Sequence, residues 1–194
     1  MFNLRNFIES IASPYGQACH MGDRTYSFDA NNALSDGLSS YTATGYAQYA
    51  GANGIVDLGG NQGVTVTLPA SANSSSVTPQ QPRIDAVVVL DVTAGTFTGT
   101  TLFKVYVVGS NDPGFGSTAG VACLGMLSFG AAASQEYSNG FVTATPASVG
   151  GSRFEIMFSN EQNNQKYEYI ALYNVVTNSA ALTYKAFVAV LPEP

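Results

Sequence analysis

The only histidine of the chain is the first place to look for metal chemistry. His20 lies in the stretch ACHMGD, beside Cys19 and Met21. A thiolate and an imidazole are both zinc ligands, but a zinc site needs about four such groups at characteristic spacing. Apart from Cys123, the sequence contains no further cysteine or histidine. We therefore predict neither a metal centre nor a cofactor.

A glycine-rich stretch, GFGSTAG at 114–120, contains a serine that could act as a nucleophile. The strand-to-helix turn of a serine hydrolase needs G-x-S-x-G, which this stretch does not have. It also lacks the lysine of a phosphate-binding loop and the glycine spacing of a dinucleotide fingerprint. We interpret it as a turn that follows a strand.

Carboxylates offer a third kind of chemistry, because two of them facing a groove can hydrolyse a glycosidic bond. The acidic residues in or beside predicted strands are Asp85, Asp91, Glu155 and Glu168. A single acid on a strand is more commonly solvated or paired with a nearby lysine, and the candidate partners are Lys104, Lys166 and Lys185. We predict that the chain is not an enzyme. A glycoside-active or metal-dependent jelly roll is the enzymatic alternative.

The elements that must position these residues contain few charges. The sequence is 45% hydrophobic and only 10% charged, against a usual charged share of roughly 25%. Its net charge is −6 and its seven basic residues are scattered, so we predict no nucleic-acid partner and no anionic membrane partner. A surface of hydroxyls, amides and apolar atoms either forms hydrogen bonds or is hidden by other protein.

The N-terminal residues predict a short helix. Apolar residues recur there at helical spacing: Leu4, Phe7, Ile8 and Ile11. Pro14 and Gly16 then end the pattern, and a helix this short needs a partner surface, either its own domain or a neighbour. We predict that residues 1–26 form an arm.

We also predict a soluble chain without an export signal. Arg5 and Glu9 interrupt any apolar region of a secretory signal. No run approaches the ~18 apolar residues of a membrane span.

Residues 27–194 have the sequence pattern of one β-domain. Short apolar or alternating runs are separated by glycine, proline and asparagine turns. The predicted strands lie within 54–60, 63–69, 83–94, 101–112, 154–160 and 166–191, with a weaker candidate at 40–50. About eight strands at this spacing predict an antiparallel β-sandwich, with a jelly roll as the favoured form.

The last two strands, in KYEYIALYNVVTNSAALTYKAFVAVL at 166–191, have no polar face. We interpret them as a hairpin. Tyr167, Tyr169 and Tyr173 share one face of the first strand, and Tyr184 and Phe187 point to opposite faces of the second. If one face of each strand fills a core, the other must be covered by something else or remain as an amphipathic surface.

The order of these motifs resembles the jelly-roll capsid cement (decoration) proteins of tailed bacteriophages. GIVDLGG, RIDAVVVLDVTA and LFKVYVVGSNDPGF occur in the family's order. The segments at 169–175 and 182–189 are similar to the family's C-terminal pattern RYIRLxYxVxxGxLTxGxFxAxL. The similarity covers roughly 27–191, whereas residues 1–26 and 114–151 are longer than the family pattern.

The resemblance implies a structural virion protein on the capsid exterior, assembled in the host cytoplasm. It would bind the major capsid protein and itself, as a homodimer or homotrimer, and it has no catalytic residues to carry over. We predict that the oligomer or capsid contacts are made by Phe2, Leu4, Phe7, Ile8, Ile11, Tyr167, Tyr169, Tyr173, Tyr184 and Phe187.

A second class of function is also compatible with the sequence. Eleven tyrosines and a surface of amides and hydroxyls would suit a carbohydrate-binding or receptor-binding β-sandwich, because tyrosine rings stack on sugars. Tryptophan is absent from the sequence, which weakens this alternative. Selective binding on a glycan array would favour it over the cement protein.

Overall fold

A computed structural model describes residues 30–59, 83–116, 120–130 and 150–190, together with the backbone of 66–67 and 76–77. A 3-10 turn at Ala30–Asn32 is followed by the strands. In chain order these are β1 (Ala33–Asp36), β2 (Gly45–Tyr46), β3 (Gln48–Tyr49), β4 (Ala52–Asn53), β5 (Ile55–Asp57), β6 (Val66–Thr67), β7 (Ser76–Val77), β8 (Asp85–Thr96), β9 (Leu102–Ser110), β10 (Ala122–Gly130), β11 (Ser152–Ser159), β12 (Glu161–Gln162), β13 (Gln165–Lys166), β14 (Tyr169–Thr177) and β15 (Ala181–Val190).

The longer strands form two antiparallel sheets that pack against each other. The first sheet has the order β1-β15-β8-β11, and the second has the order β10-β9-β14-β2, with β5 also paired to β14. Two-stranded ribbons, β3-β4 and β12-β13, lie beside them. This arrangement confirms the predicted all-β antiparallel sandwich.

The core fills the space between the two sheets. Alternate residues of β14 and β15, such as Ile170, Leu172 and Leu182, are fully buried in it. Five consecutive residues of β8, 86–90, are buried because this strand is covered on both sides. Val88 and Leu90 belong to the core between the sheets, which explains why this part of the sequence is an unbroken apolar run rather than an alternating one.

The C-terminal pair of strands is not a hairpin. β14 and β15 lie in opposite sheets and do not pair with each other. Asn178 and Ser179, both with left-handed backbone conformations at φ 54° and 60°, turn the chain from one sheet to the other. The Asn178 side chain donates to the carbonyl of Thr100 at 3.3 Å, which ties this corner to the β8–β9 corner. The sequence predicts the two strands correctly. The prediction that they pair as a hairpin is wrong, because the short turn joins strands of different sheets.

A small polar network crosses the core. The Tyr184 hydroxyl donates to Asn174 Oδ1 at 2.7 Å, and the Ser35 hydroxyl donates to the backbone oxygen of Tyr184 at 2.7 Å. Tyr41 packs on Tyr184 with ring centroids 5.0 Å apart. Burial raises the pKa of Tyr184 well above its ordinary value, Tyr41 adds to the rise, and the hydrogen bond to Asn174 lowers it in part.

The apolar stretch VACLGML predicts a buried Cys123, and this prediction is wrong. Its thiol is free and exposed, and Cys19 lies outside the described residues. The cause is a β-bulge in β10: Cys123 pairs with Val108, whereas Gly125 already pairs with Val107. The extra residue, Leu124, packs against the core, and Cys123 is left on the outer side of the sheet.

The predicted arm, residues 1–26, lies outside the described residues, as does its short helix. Within the part of the chain that the structure describes, no helix is long and apolar enough to cross a membrane.

Candidate interaction face

A row of three tyrosines and a methionine crosses the outer face of the second sheet. Tyr173 of β14 is the register partner of both Tyr46 on β2 and Tyr106 on β9, and Tyr106 is the partner of Met126 on β10. Directly opposed residues of antiparallel strands lie about 4.5–5.5 Å apart on the same face. The four side chains therefore form a continuous line across the sheet, which we call the aromatic row.

Further apolar side chains extend this row into a patch, which we call the aromatic face. The three tyrosines are only partly buried, and Met126 is 47% exposed. The remaining members of the aromatic face are Ile55, Val108, Phe115, Val121, Tyr169 and Ala171. The aromatic face therefore combines buried side chains that fix its shape with partly exposed rings that another molecule can reach.

The rings of the aromatic face are already packed on one another. Tyr46 meets Tyr173 edge-on with centroids 5.0 Å apart, and it meets Phe115 at 5.6 Å. Such pairs contribute about 0.5–1.5 kcal/mol each beyond the area they bury. The ring of Tyr46 is thus held in place before any partner arrives, which reduces the entropy lost on binding.

A short loop after β9 places Phe115 on the aromatic face. The carboxylate of Asp112 accepts hydrogen bonds from the backbone N–H groups of Gly114 and Gly116, both at 2.9 Å. Phe115 donates its N–H to the backbone oxygen of Asp112 and has a positive φ of 50°. A bulky residue in this region costs of order 1–3 kcal/mol, so the hydrogen bonds of Asp112 and the packing of the ring must offset that cost.

Two tyrosine hydroxyls of the aromatic face, those of Tyr46 and Tyr169, have a raised pKa and stay protonated at neutral pH. Burial raises the pKa of Tyr46, and the neighbouring Tyr173 adds to the rise. Partial burial raises the pKa of Tyr169, and the carboxylates of Glu168 and Asp57 add to it. These rings therefore present neutral hydroxyls that can donate or accept a hydrogen bond at the edge of an apolar contact.

The outer face of the first sheet has a different row at the equivalent place. Lys185 of β15 is the register partner of Asp36 on β1 and Asp91 on β8, and Asp91 is the partner of Arg153 on β11. Arg153 donates to both carboxylate oxygens of Asp91, at 2.6 and 2.8 Å. We call these four residues the charge row. Its charges alternate in sign, so neighbouring strands attract each other.

The five predicted C-terminal contact residues do not lie on one common surface. Tyr169 and Tyr173 lie on the aromatic face. Tyr167 is buried just before β14, where its N–H donates to the backbone oxygen of Asn160. The other five predicted contacts, at positions 2, 4, 7, 8 and 11, lie outside the described residues.

Two of the predicted contact residues, Tyr184 and Phe187, are buried within the chain. Tyr184 lies between the two sheets with no exposed surface, so another chain cannot reach it. Phe187 does face outward from the first sheet, but it is only 1% exposed and packs with Val87 and Val89. The Phe187 side chain is therefore already covered within the single chain.

The sequence did not point to four members of the aromatic face: Tyr46, Tyr106, Phe115 and Met126. Tyr106 sits in KVYVVG, where it is outward between the core residues Val105 and Val107. The alternation was available as a signal, but only the strand order brings these side chains together with β14.

No protein-family model, no curated protein and no solved structure matches this chain. Among the described residues, no group of three or more His, Cys, Asp and Glu side chains could hold a metal ion. The class that the fold and the face define is an antiparallel β-sandwich with one aromatic outer face.

Proposed function

We propose that the chain is a structural virion protein that binds the outside of a phage capsid and cements neighbouring major capsid subunits. The observation that carries this proposal is the aromatic face, whose tyrosine rings stay partly exposed on the outer side of the second sheet. Tyrosine is enriched where protein interfaces concentrate their binding energy. The resemblance of the strand motifs to cement proteins supports the same function.

The strand order supports a jelly roll. β2 and β5 both pair with β14, and when they are counted as one interrupted strand, eight strands divide into two sheets of four. The chain crosses between the sheets at most connections, with β1 beside β15 at one edge. A jelly roll consists of eight strands in two Greek keys and is the fold of many viral capsid domains. The proposed function would then use a fold that viruses already use for their shells.

The size of the aromatic face suggests how binding would work. Four strands about 4.8 Å apart and five residues rising about 3.3 Å each give a footprint of roughly 300 Å². A standard interface covers about 800 Å² per partner. The aromatic face is therefore the centre of a contact and not the whole of it, and a polar rim must surround it. Firm attachment then needs several contacts at once, through self-association or through neighbouring capsid subunits.

The direct test uses expanded, empty heads of the phage that encodes this chain. Purified protein is mixed with the heads, and the bound copies are counted by sedimentation and mass spectrometry. We expect saturable binding, and we expect Tyr106→Ser to weaken it at least tenfold, because this substitution removes a central ring. Met157→Ser is the matched control, since Met157 is 65% exposed on the opposite outer face.

Two results would refute the proposal. One is a wild-type protein that stays monomeric and does not bind the heads. The other is a folded Tyr106→Ser variant that binds as tightly as the wild type. Circular dichroism and thermal melting establish that both variants are folded before their binding is compared.

A further inference from the structure

A hollow of about 300 Å³ lies beside the aromatic face, next to the β3–β4 ribbon. It is lined by Tyr46 and by the segment 39–45. The polar side chains around it are Ser39, Ser40, Thr42, Thr44, Gln48 and Asn53. Its volume is at the lower end of the ~300–1,000 Å³ range of ligand pockets.

The walls of the hollow are fixed to both sheets. Tyr41 exchanges two backbone hydrogen bonds with Leu182 of the first sheet, at 2.9 and 3.2 Å. Ala47 donates to the backbone oxygen of Leu172 in the second sheet at 2.9 Å, and Val176 donates to the Thr44 hydroxyl at 3.1 Å. Because the segment is anchored on each side, the hollow exists before a ligand binds and loses little entropy on binding.

Two amides stand side by side at the edge of the hollow. Gln48 and Asn53 are register partners in the β3–β4 ribbon, so their side chains project from the same face. Within the described part of the chain, neither side-chain amide forms a hydrogen bond, although the backbone of Gln48 is bonded to Tyr41. Each amide offers two donors and one acceptor oxygen, the combination that adjacent hydroxyl groups require.

None of the residues that line the hollow is charged, which selects against an ionic ligand. An aromatic wall favours a ligand with one apolar side, whereas the amides and hydroxyls favour one with several hydroxyl groups. A sugar ring has both properties, because its C–H groups can pack on the tyrosine while its hydroxyls bond to the amides. We propose that this hollow binds a neutral saccharide of one or two sugar units.

The site can be tested by NMR on the ¹⁵N-labelled full chain. The probes are the methyl glycosides of glucose, galactose, mannose and N-acetylglucosamine, each titrated to about 20 mM, well above a ~1 mM Kd. We expect at least one of them to shift backbone amide signals confined to residues 39–54. We further expect Asn53→Ala to raise the Kd about fivefold to tenfold, which corresponds to the loss of one or two hydrogen bonds.

Matched variants separate this site from the proposed capsid contact. Tyr106→Ser, on the aromatic face but outside the hollow, should bind the sugar as the wild type does. Asn53→Ala should bind the phage heads as the wild type does. Either proposal can therefore fail while the other stands.

Three outcomes would overturn the saccharide site. The first is that no glycoside shifts any signal at 20 mM. The second is that the shifts lie outside residues 39–54 or are unchanged in Asn53→Ala. The third is that an uncharged serine- and threonine-rich peptide binds in the hollow while all four glycosides fail, which would assign it a peptide ligand instead.

Discussion

The two outer faces of this sandwich share a geometry but differ in chemistry. Each has a row of four side chains that runs across four strands. In the charge row, Asp36, Lys185, Asp91 and Arg153 alternate in sign, and beside it Phe187 is already buried. In the aromatic row, the rings remain partly exposed. On the first face the aromatic residue Phe187 is covered within the chain, although Met157 is exposed there, whereas the second face keeps accessible rings for a partner.

The comparison shows that an apolar outer face does not by itself indicate an interface. Phe187 and Tyr173 are both aromatic residues that point away from the core, on strands that are consecutive in the sequence. Only Tyr173 retains accessible surface. The exposed fraction, and not residue type, decides which face can bind another molecule.

The largest predicted difference between the faces concerns stability. Phe187→Ala should lower the free energy of unfolding by about 3–5 kcal/mol, because it leaves a cavity in a closed cluster. Tyr173→Ala should cost about 1 kcal/mol, since its side chain is partly exposed and the site can fill with water. Urea unfolding of both variants measures the two values. Equal losses of unfolding free energy would mean that Phe187 and Tyr173 are packed equally tightly, which would contradict the difference between the two faces.

Alkaline pH should lower the stability of the protein through Tyr184, the tyrosine buried between the two sheets. Because the pKa of Tyr184 is raised in the folded state, its contribution to stability is complete below the unfolded pKa of about 10 and is lost as pH rises above it. The slope from this residue is at most about 1.4 kcal/mol per pH unit. Unfolding measured from pH 9 to 11 should show a shallower decline in Tyr184→Phe than in the wild type. If stability declined with pH equally in Tyr184→Phe and the wild type, the loss at alkaline pH would come from other groups.

The Asp112 loop should control how well the aromatic face is ordered. Asp112→Ala removes two hydrogen bonds from the loop and should cost about 1–2 kcal/mol of stability. Because Phe115 would no longer be held against Tyr46, we also expect weaker binding to phage heads. Asp85→Ala is a suitable control, since Asp85 is an exposed acid that pairs with Arg83 at the end of β8. If Asp112→Ala and Asp85→Ala bound phage heads equally well, the Asp112 loop would not contribute to binding by the aromatic face.

The smallest predicted effect is that of salt on the charge row. Arg153→Met should lower stability by about 0.2–1 kcal/mol in dilute buffer, because the pair with Asp91 is partly exposed. The loss should shrink in 1 M salt, where the Debye length is about 3 Å. The cost of Tyr106→Ser should not change with salt, since no charge is involved. If the stability cost of Tyr106→Ser changed with salt as that of Arg153→Met does, the difference between an apolar aromatic row and an ionic charge row would be contradicted.

Much of the fold could be predicted from alternating apolar residues. The predicted strands at 83–94, 101–112 and 154–160 correspond to β8, β9 and β11, whose observed ends differ from the predicted ones by a few residues. β10 was missed because Gly125 and the bulge at Leu124 interrupt its alternation. The corner at Asn178 was misinterpreted because a two-residue turn has the same sequence pattern whether it joins paired strands or crosses between sheets.

The candidate face could be predicted only in part. Tyr169 and Tyr173 follow from alternation in one strand, but their neighbours Tyr46 and Tyr106 come from strands that are distant in the sequence. When both faces of a strand are apolar, as in β15, the sequence does not indicate which face is inward. Phe115 depends on a left-handed backbone held by Asp112, a geometry that composition does not reveal.

The central claim, that the aromatic face is the contact surface, can be tested most directly by methionine oxidation. Met126 lies on the aromatic face and Met157 on the opposite outer face, and both are exposed in the free chain. Hydrogen peroxide should therefore oxidise both in free protein, as measured by peptide mass spectrometry. On phage heads, the account predicts that Met126 becomes protected while Met157 stays reactive. Protection of Met157 with Met126 still oxidised would contradict it.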